Sequence, residues 1–428
     1  MGSLLADFRR FARKRGMNGS SFLVGGSVRA ILAGTKNPKD IDIALRGNAL
    51  KAARGFAAEA GATFVLLDER FGMARVVRGN EHLDIARLRG RNIEEDLLQR
   101  DITINAMALP LFSRRLIDPL GGARDLMKGT VRIISEENLV RDPLRILRCY
   151  RFSAAGGFRI EKETALVLKR LAPLLKKPAP ERITEELKKI LACQGAARAL
   201  ERMLRDGILK VIMPGFRSEN LRALRAMRRA GLRPATILPA GRAPGWAKGL
   251  KGPGPEVRFP LELAVLSAGA AGRATAGLVL SKKERELVGR LHAFRRRLGR
   301  LFKREAASLK KGALKKGAAV TGLLRDAQDE IYIHLLFTYA FFTAESEEAG
   351  GRFAEFSRAL LTMYLNVVRP RLAFRPITGE DLKEEFGLAP SPLFRTVLEA
   401  VEMKWLLGAV RNRKEALEEA ERIIRSNM

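Results

Sequence analysis

The stretch Phe22 to Asp42, FLVGGSVRAILAGTKNPKDID, decides how this chain is read. Phe22, Leu23 and Val24 are apolar and suit a buried strand. Gly25 and Gly26 break that strand. Lacking a Cβ, they let backbone amides approach a phosphate closely. Ser27 adds a hydroxyl donor and Arg29 a fixed cation. Pro38 stops the helix that follows. Asp40 and Asp42 then fall on a second strand, one residue apart. Side chains alternate along a strand, so both carboxylates share a face.

Such a pair suits Mg²⁺, a hard cation that takes oxygen ligands and triphosphates. A glycine turn beside a DxD strand describes a nucleotidyl-transfer site, where metal ions activate a hydroxyl and stabilise leaving pyrophosphate. Taken singly, GG also reads as an ordinary turn and DID as a solvated strand face. Within one strand-turn-helix-strand unit the functional reading is the stronger.

The chain has 428 residues, which implies two to four domains. Its formal charge is +32, from 79 Lys and Arg against 47 Asp and Glu. That excess implies a polyanionic partner, and nucleic acid is the plain candidate. A membrane partner is not expected, because no long uncharged apolar run occurs. Residues 1 to 16 read as an amphipathic helix rather than a transit peptide, and a cytoplasmic location is expected. The two cysteines, Cys149 and Cys193, sit among helix-like apolar residues, which argues against a disulfide scaffold or a cysteine zinc site. The three histidines are far apart and form no HD pair.

The α/β pattern continues with a helix over 49–60 and strands over 62–67 and 73–78. In EHLDIARLR, Leu83 and Ile85 share one face and His82, Asp84 and Ala86 the other. Asp84 is thus a candidate third metal carboxylate, set beside Asp40 and Asp42 by strand pairing; the alternative is an exposed edge-strand aspartate. In EEDLLQRDITINAMAL, Arg100 and Asp101 precede a helix-like run containing Asn105. Arginine binds triphosphate oxygens in a fork, and Asp101 with Asn105 could take a ribose hydroxyl. A helix cap and a core amide are the alternatives. LIDPLGGARDLMKG predicts a strand end, a turn and a short helix, with Asp118 and Asp125 as structural residues.

From about residue 130 the pattern is helical. Asp142 before Pro143 reads as a helix start. Asp142 and Arg145 are also three apart on one face. A carboxylate accepts from the exocyclic amine of cytosine or adenine, and a guanidinium donates to their ring acceptors. The pair could therefore select CTP and ATP and refuse guanine and uracil. Arg148 and Arg151 extend the basic face. Residues 180–192 predict a helix, with Glu181 and Arg182 as a buttressing ion pair. Residues 201–320 carry 28 Lys and Arg against 8 Asp and Glu, which favours an RNA-backbone track over a merely solvated surface. Residues 241–260 read as a Gly/Pro linker. The last stretch, from PITGEDL, predicts two or three helices around a Pro-rich turn.

The motifs LVGGSVRAILAG with DID, RDITINAMA, DPLGGARDL, DPLRILR with RF and GF, and ERITEEL stand in one order. In that order they resemble the class II tRNA nucleotidyltransferases and bacterial poly(A) polymerases. The resemblance spans about residues 20–215 and resumes near PITGEDL. It implies an α+β fold: a polymerase-beta-like head over 1–140, then all-α neck (141–215), body (216–345) and tail (346–428). It implies tRNA, CTP and ATP as partners, with no DNA, and Mg²⁺ as cofactor. Asp40 and Asp42, with Asp84 as the candidate third, would carry the metal; Gly25, Gly26, Ser27, Arg29, Arg100, Asp101 and Asn105 would hold triphosphate and ribose. Asp142 and Arg145 would template the base, beside Arg148 and Arg151. The chain departs from the family pattern at Ala30, at Gln99 and at Arg141, where the family commonly has glutamate. Only Gly90 to Ile93 separate Arg89 from Glu94, where CCA-adding members carry a flexible loop. In this family a lost loop accompanies addition of two cytidines and a stop. CCA addition, A-addition and poly(A) addition are the alternatives within the family, and a non-catalytic RNA-binding relative is the rival outside it.

Overall fold

The computed structural model describes residues 3–35, 40–231, 255–270, 273–309, 314 and 317–427. Pro38, the linker before residue 255 and most of the LKKGALKK run lie outside them. The chain forms two compact units, 1–214 with 277–279, and 215–276 with 280–428.

The first unit opens with α1 (Leu4–Lys14), in which Leu4, Phe8, Phe11 and Ala12 are buried. That spacing makes one apolar stripe, and Ser3 caps the helix by accepting from the Ala6 amide. Then come β1 (Ser21–Val24), α2 (Gly25–Leu32), β2 (Asp40–Leu45), α3 (Ala49–Ala60), β3 (Thr63–Asp68), β4 (Met73–Arg78) and β5 (Glu81–Arg87). Phe56 of α3 meets Phe8 edge-on at 5.1 Å and Phe11 at 5.5 Å, which seats α1 on the head. After α4 (Ile93–Leu98) and β6 (Ala108–Pro110), the sheet has the order β3-β4-β5-β2-β1-β6. Only β2 and β5 pair parallel, and that register sets Asp42 opposite Asp84.

The apolar run after Arg100 is not a helix. It makes one 3-10 turn, Thr103–Asn105, and then β6. Its backbone is spent on tertiary bonds: the Thr103 amide donates to Arg132 O and Ala108 pairs with Val24. The β-branched Thr103 and Ile104 tolerate this well. In α5 (Gly122–Met127), Asp118 accepts from the Gly122 and Ala123 amides, while Asp125 takes the Thr103 hydroxyl and Arg132. Both aspartates are structural, as the sequence predicts.

A small parallel pair, β7 (Thr130–Val131) with β8 (Arg159–Ile160), interrupts the expected all-helical neck. Around it lie α6 (Glu136–Arg141), α7 (Leu144–Gly156), α8 (Lys162–Leu171), α9 (Pro180–Ala192), α10 (Ala196–Arg205) and α11 (Ile208–Ile212). Tyr150 of α7 is fully buried and donates to Asp206 at 2.8 Å.

The second unit is helical: α12 (Glu219–Ala230), α13 (Pro255–Ser267), α14 (Lys282–Leu309), α15 (Ala318–Ala327), α16 (Ile331–Glu345), α17 (Glu347–Met363), α18 (Arg369–Leu372), α19 (Gly379–Phe386), α20 (Pro392–Leu407) and α21 (Arg413–Asn427). The expected linker ends earlier than the sequence suggests, since α13 already begins at Pro255 and carries Pro260 inside it. Apolar α16 packs against α12, α14 and α17. His334 stacks on Phe294 at 4.0 Å, and His292 lies 3.1 Å from the Ser267 hydroxyl.

Two expectations follow. Phe56→Ala should destabilise the first unit by about 3–5 kcal/mol, read by chemical denaturation. Burial, with neighbouring arginines, lowers His292 and His334 from 6.5 to about 4. The unfolded chain therefore binds more protons in that window, and stability should fall as pH drops from 6.5 toward 4. Thermal melts should show this slope reduced in a His292→Gln, His334→Gln double variant.

Candidate active site

The β1–α2 junction has no intervening loop, because α2 begins at Gly25 directly after Val24. The Gly26 amide donates to Asp42 Oδ2 at 3.1 Å. Gly25 sits at φ +59°, and a Cβ there would lie 3.2 Å from Asp42 Oδ2 and 3.4 Å from Arg100 Nη1. The two glycines thus make room for a carboxylate and an arginine. Ser27 does not face the cleft. It is fully buried, and its hydroxyl accepts from the Asp42 amide at 2.6 Å, which pins α2 to β2.

Asp40 opens β2 in register with His82, and its side chain lies outside the described residues. Burial and the neighbouring Asp84 charge push the Asp42 carboxyl above its ordinary range; the Gly26 amide, Arg100 and Arg29 pull the other way. Asp84 accepts from Arg75 through both oxygens, at 2.7 and 2.8 Å. Two crowded carboxylates, one with raised proton affinity, form a donor set that a hard divalent cation would relieve. Among the described residues no group of three His, Cys, Asp or Glu converges. A metal here would draw on Asp42, Asp84 and the adjacent Asp40.

Around the carboxylates stands a set of arginines, each held by a buried acid or amide. Asp96 Oδ2 takes Arg100 Nε and Nη2 at 3.0 and 2.8 Å. Asp101 pairs with Arg148 at 3.0 Å and accepts from the Asn105 amide at 2.8 Å. Asn105 Oδ1 in turn accepts from Arg29, whose guanidinium lies over Phe152 at 4.9 Å. Burial alone would raise the Asp101 carboxyl, but Arg148, the Asn105 amide and the Ile102 N–H outweigh it and hold it below the usual range. Asp101 and Asn105 are therefore bonded to each other and to arginines, an arrangement the ribose reading did not anticipate. Arg151 pairs with buried Glu186 at 2.9 Å.

Arg145 donates to the carbonyls of Gln99 and Arg100 at 2.8 and 3.1 Å. Asp142 does not cap α7 with its side chain. Its carboxylate accepts from Arg182 at 3.2 and 3.3 Å. The expected Glu181–Arg182 pair is thus replaced by Arg182–Asp142, because Arg182 of α9 reaches across to the start of α7.

These residues line one cleft of about 830 Å³ in the first unit. Every predicted site residue with a described side chain lines it, except Ser27. Sequence reading missed Phe71, Arg89, Asp96 and Phe152 in the same wall, and Arg75 and Glu186 as partners of site residues. Asp96 was findable, since it stands four residues before Arg100, one helical turn away. The others needed the sheet order.

Residues 21–94 and 90–132 match the poly(A) polymerase head domain, and residues 157–219 match a probable RNA and SrmB-binding site of polymerase A. The chain is 29% identical to a CC-adding tRNA nucleotidyltransferase of Synechocystis sp. over 94% of each sequence. It is 39% identical to an A-adding tRNA nucleotidyltransferase of Deinococcus radiodurans over 46% of this chain and 45% of that one. A CCA-adding enzyme in its apo form I superposes with a TM-score of 0.72 at 27% identity, covering 98% of this chain and 93% of that structure. The carboxylates at the sheet centre, the arginine-walled cleft and these likenesses agree: the chain belongs to the family of class II tRNA nucleotidyltransferases and bacterial poly(A) polymerases, and it is a nucleotidyltransferase.

Proposed function

We propose that this protein extends the 3′ end of tRNA without a nucleic-acid template, transferring CMP from CTP and stopping after two additions. The observation that carries the transfer reading is the single cleft in which Asp42 and Asp84 stand opposite an arginine wall and the Asp142–Arg145 pair. Mg²⁺ is the cation assigned to Asp40, Asp42 and Asp84; bound there, it would make the attacking hydroxyl more acidic and neutralise the leaving pyrophosphate. Arg100, aimed by Asp96, and Arg29, aimed by Asn105, bind the triphosphate. Asp101 and Asn105 act chiefly by orienting Arg148 and Arg29. Asp142 accepts from the exocyclic amine of the base and Arg145 donates to its ring. Arg182 fixes the Asp142 carboxylate in place. The head, neck, body and tail divisions at 140, 215 and 345 belong to this proposal, as does RNA-backbone contact by the basic helices α12 and α14.

The stop after two cytidines is read from residues 88–92, which join β5 to α4. This link is tied along its length. The Leu88 amide donates to Leu45 O at 2.9 Å, Arg89 N to Asp96 Oδ1 at 2.9 Å, and Arg91 N to Glu95 at 2.8 Å. Gly90 sits at φ +95°, and a Cβ there would strike Glu95 at 2.6 Å. A tether this short and bonded cannot reshape the pocket for a larger base.

A tRNA transcript lacking its 3′-CCA, given CTP and ATP, should gain two cytidines and stop, read at single-nucleotide resolution. A completed CCA, a single A added only after CC, or a long A ladder would each move the protein to another branch of the family. Asp42→Ala should cut incorporation at least a thousandfold while tRNA affinity changes little. Arg182→Ala and Asp142→Ala should both lower the preference for CTP over UTP, by about 10- to 100-fold, as expected for losing one paired base contact. Unchanged CTP preference in both variants would remove the template role.

A further inference from the structure

One wall of the cleft remains unassigned. Phe71 stands at the end of the β3–β4 hairpin, lines the cleft, and is 46% exposed. Its turn is fixed: the Phe71 amide donates to Asp68 Oδ1 at 3.0 Å, and Gly72 N to Glu69 O at 3.0 Å. The Arg89 guanidinium lies over the ring at 5.0 Å. Arg89 comes from the short β5–α4 link, and its own amide is held by buried Asp96. Ring and guanidinium are therefore both presented on anchored backbone.

The sheet order places them relative to the carboxylates and the glycines. The carboxylate strands β2 and β5 are central. Gly25 and Gly26 lie on the β1 side, and the β3–β4 hairpin on the other. Phosphoryl transfer needs the attacking and leaving oxygens on opposite sides of the α-phosphorus. With the triphosphate at the glycines and Arg100, the β3–β4 side of the cleft, where Phe71 is exposed, is the side open to the attacking hydroxyl. There an aromatic ring and a guanidinium plane await a base, and both stack on unpaired nucleotides irrespective of base identity.

We propose that Phe71 and Arg89 form a stacking platform for the base of the RNA's 3′-terminal nucleotide, the one whose hydroxyl attacks. This rests on the tRNA-extension reading above. The platform would hold each new 3′ end in turn.

The test uses the full chain and a tRNA acceptor-stem hairpin carrying 2-aminopurine as its 3′-terminal base. Wild type should quench the fluorescence on binding. Phe71→Ala should abolish the quench and raise KM for the RNA about tenfold or more, with KM for CTP within twofold. Phe71→Trp should retain both quench and KM, and Arg89→Ala should weaken both. Phe71 is exposed, so the melting temperature of Phe71→Ala should match wild type. Quenching and RNA KM unchanged in Phe71→Ala would overturn the platform, as would a rise confined to the KM for CTP. If wild type extends no RNA, the functional reading fails, while the quench still decides whether Phe71 stacks the terminal base.

Discussion

The parallel pairing of β2 with β5 is the constraint on which the site depends. It sets Asp42 and Asp84 opposite each other on adjacent strands. Two carboxylates so close repel, and burial of Asp42 adds to the cost. The surroundings answer with donors. The Gly26 amide, the bidentate Arg75 and the charges of Arg100 and Arg29 all bear on this pair. What is unfavourable for an empty carboxylate pair is favourable for one that receives a divalent cation.

The second feature is that the arginines are aimed before any substrate arrives. Asp96, Asp101 and Glu186 are each less than a tenth exposed, and each holds one arginine. A buried acid of this kind is costly unless paired, so pairing fixes the guanidinium position strongly. An anion entering the cleft then meets cations whose side-chain entropy is already spent. The same device recurs at the start of α7, where Arg182 holds Asp142 and two backbone carbonyls hold Arg145.

The short β5–α4 link joins these themes. Asp96 binds the link through the Arg89 amide and the arginine wall of the cleft through Arg100. One carboxylate thus couples the geometry of the link to the cleft. The same link carries Arg89, whose guanidinium lies over Phe71 of the β3–β4 hairpin, on the side of the sheet away from the glycines.

Much of this was legible in the sequence, because the signals are local. Strand alternation put Asp84 on the face of β5 that meets Asp42, helical spacing separated α3 and α9 from their neighbours, and the ordered motifs named the family. Misreadings came where side chains choose partners across the fold. Ser27 looked like a phosphate donor but serves β2, and Asn105 looked helical but lies on a single turn whose backbone bonds elsewhere. Arg182 looked paired with its neighbour Glu181 but crosses to Asp142. The sequence by itself determined the elements, the charge and the chemical inventory, because those follow from residue type and period. Only the tertiary structure decided which carboxylate holds which arginine and which side chains share one cleft. Those are distances between strands and helices far apart in the chain, and no local pattern encodes them.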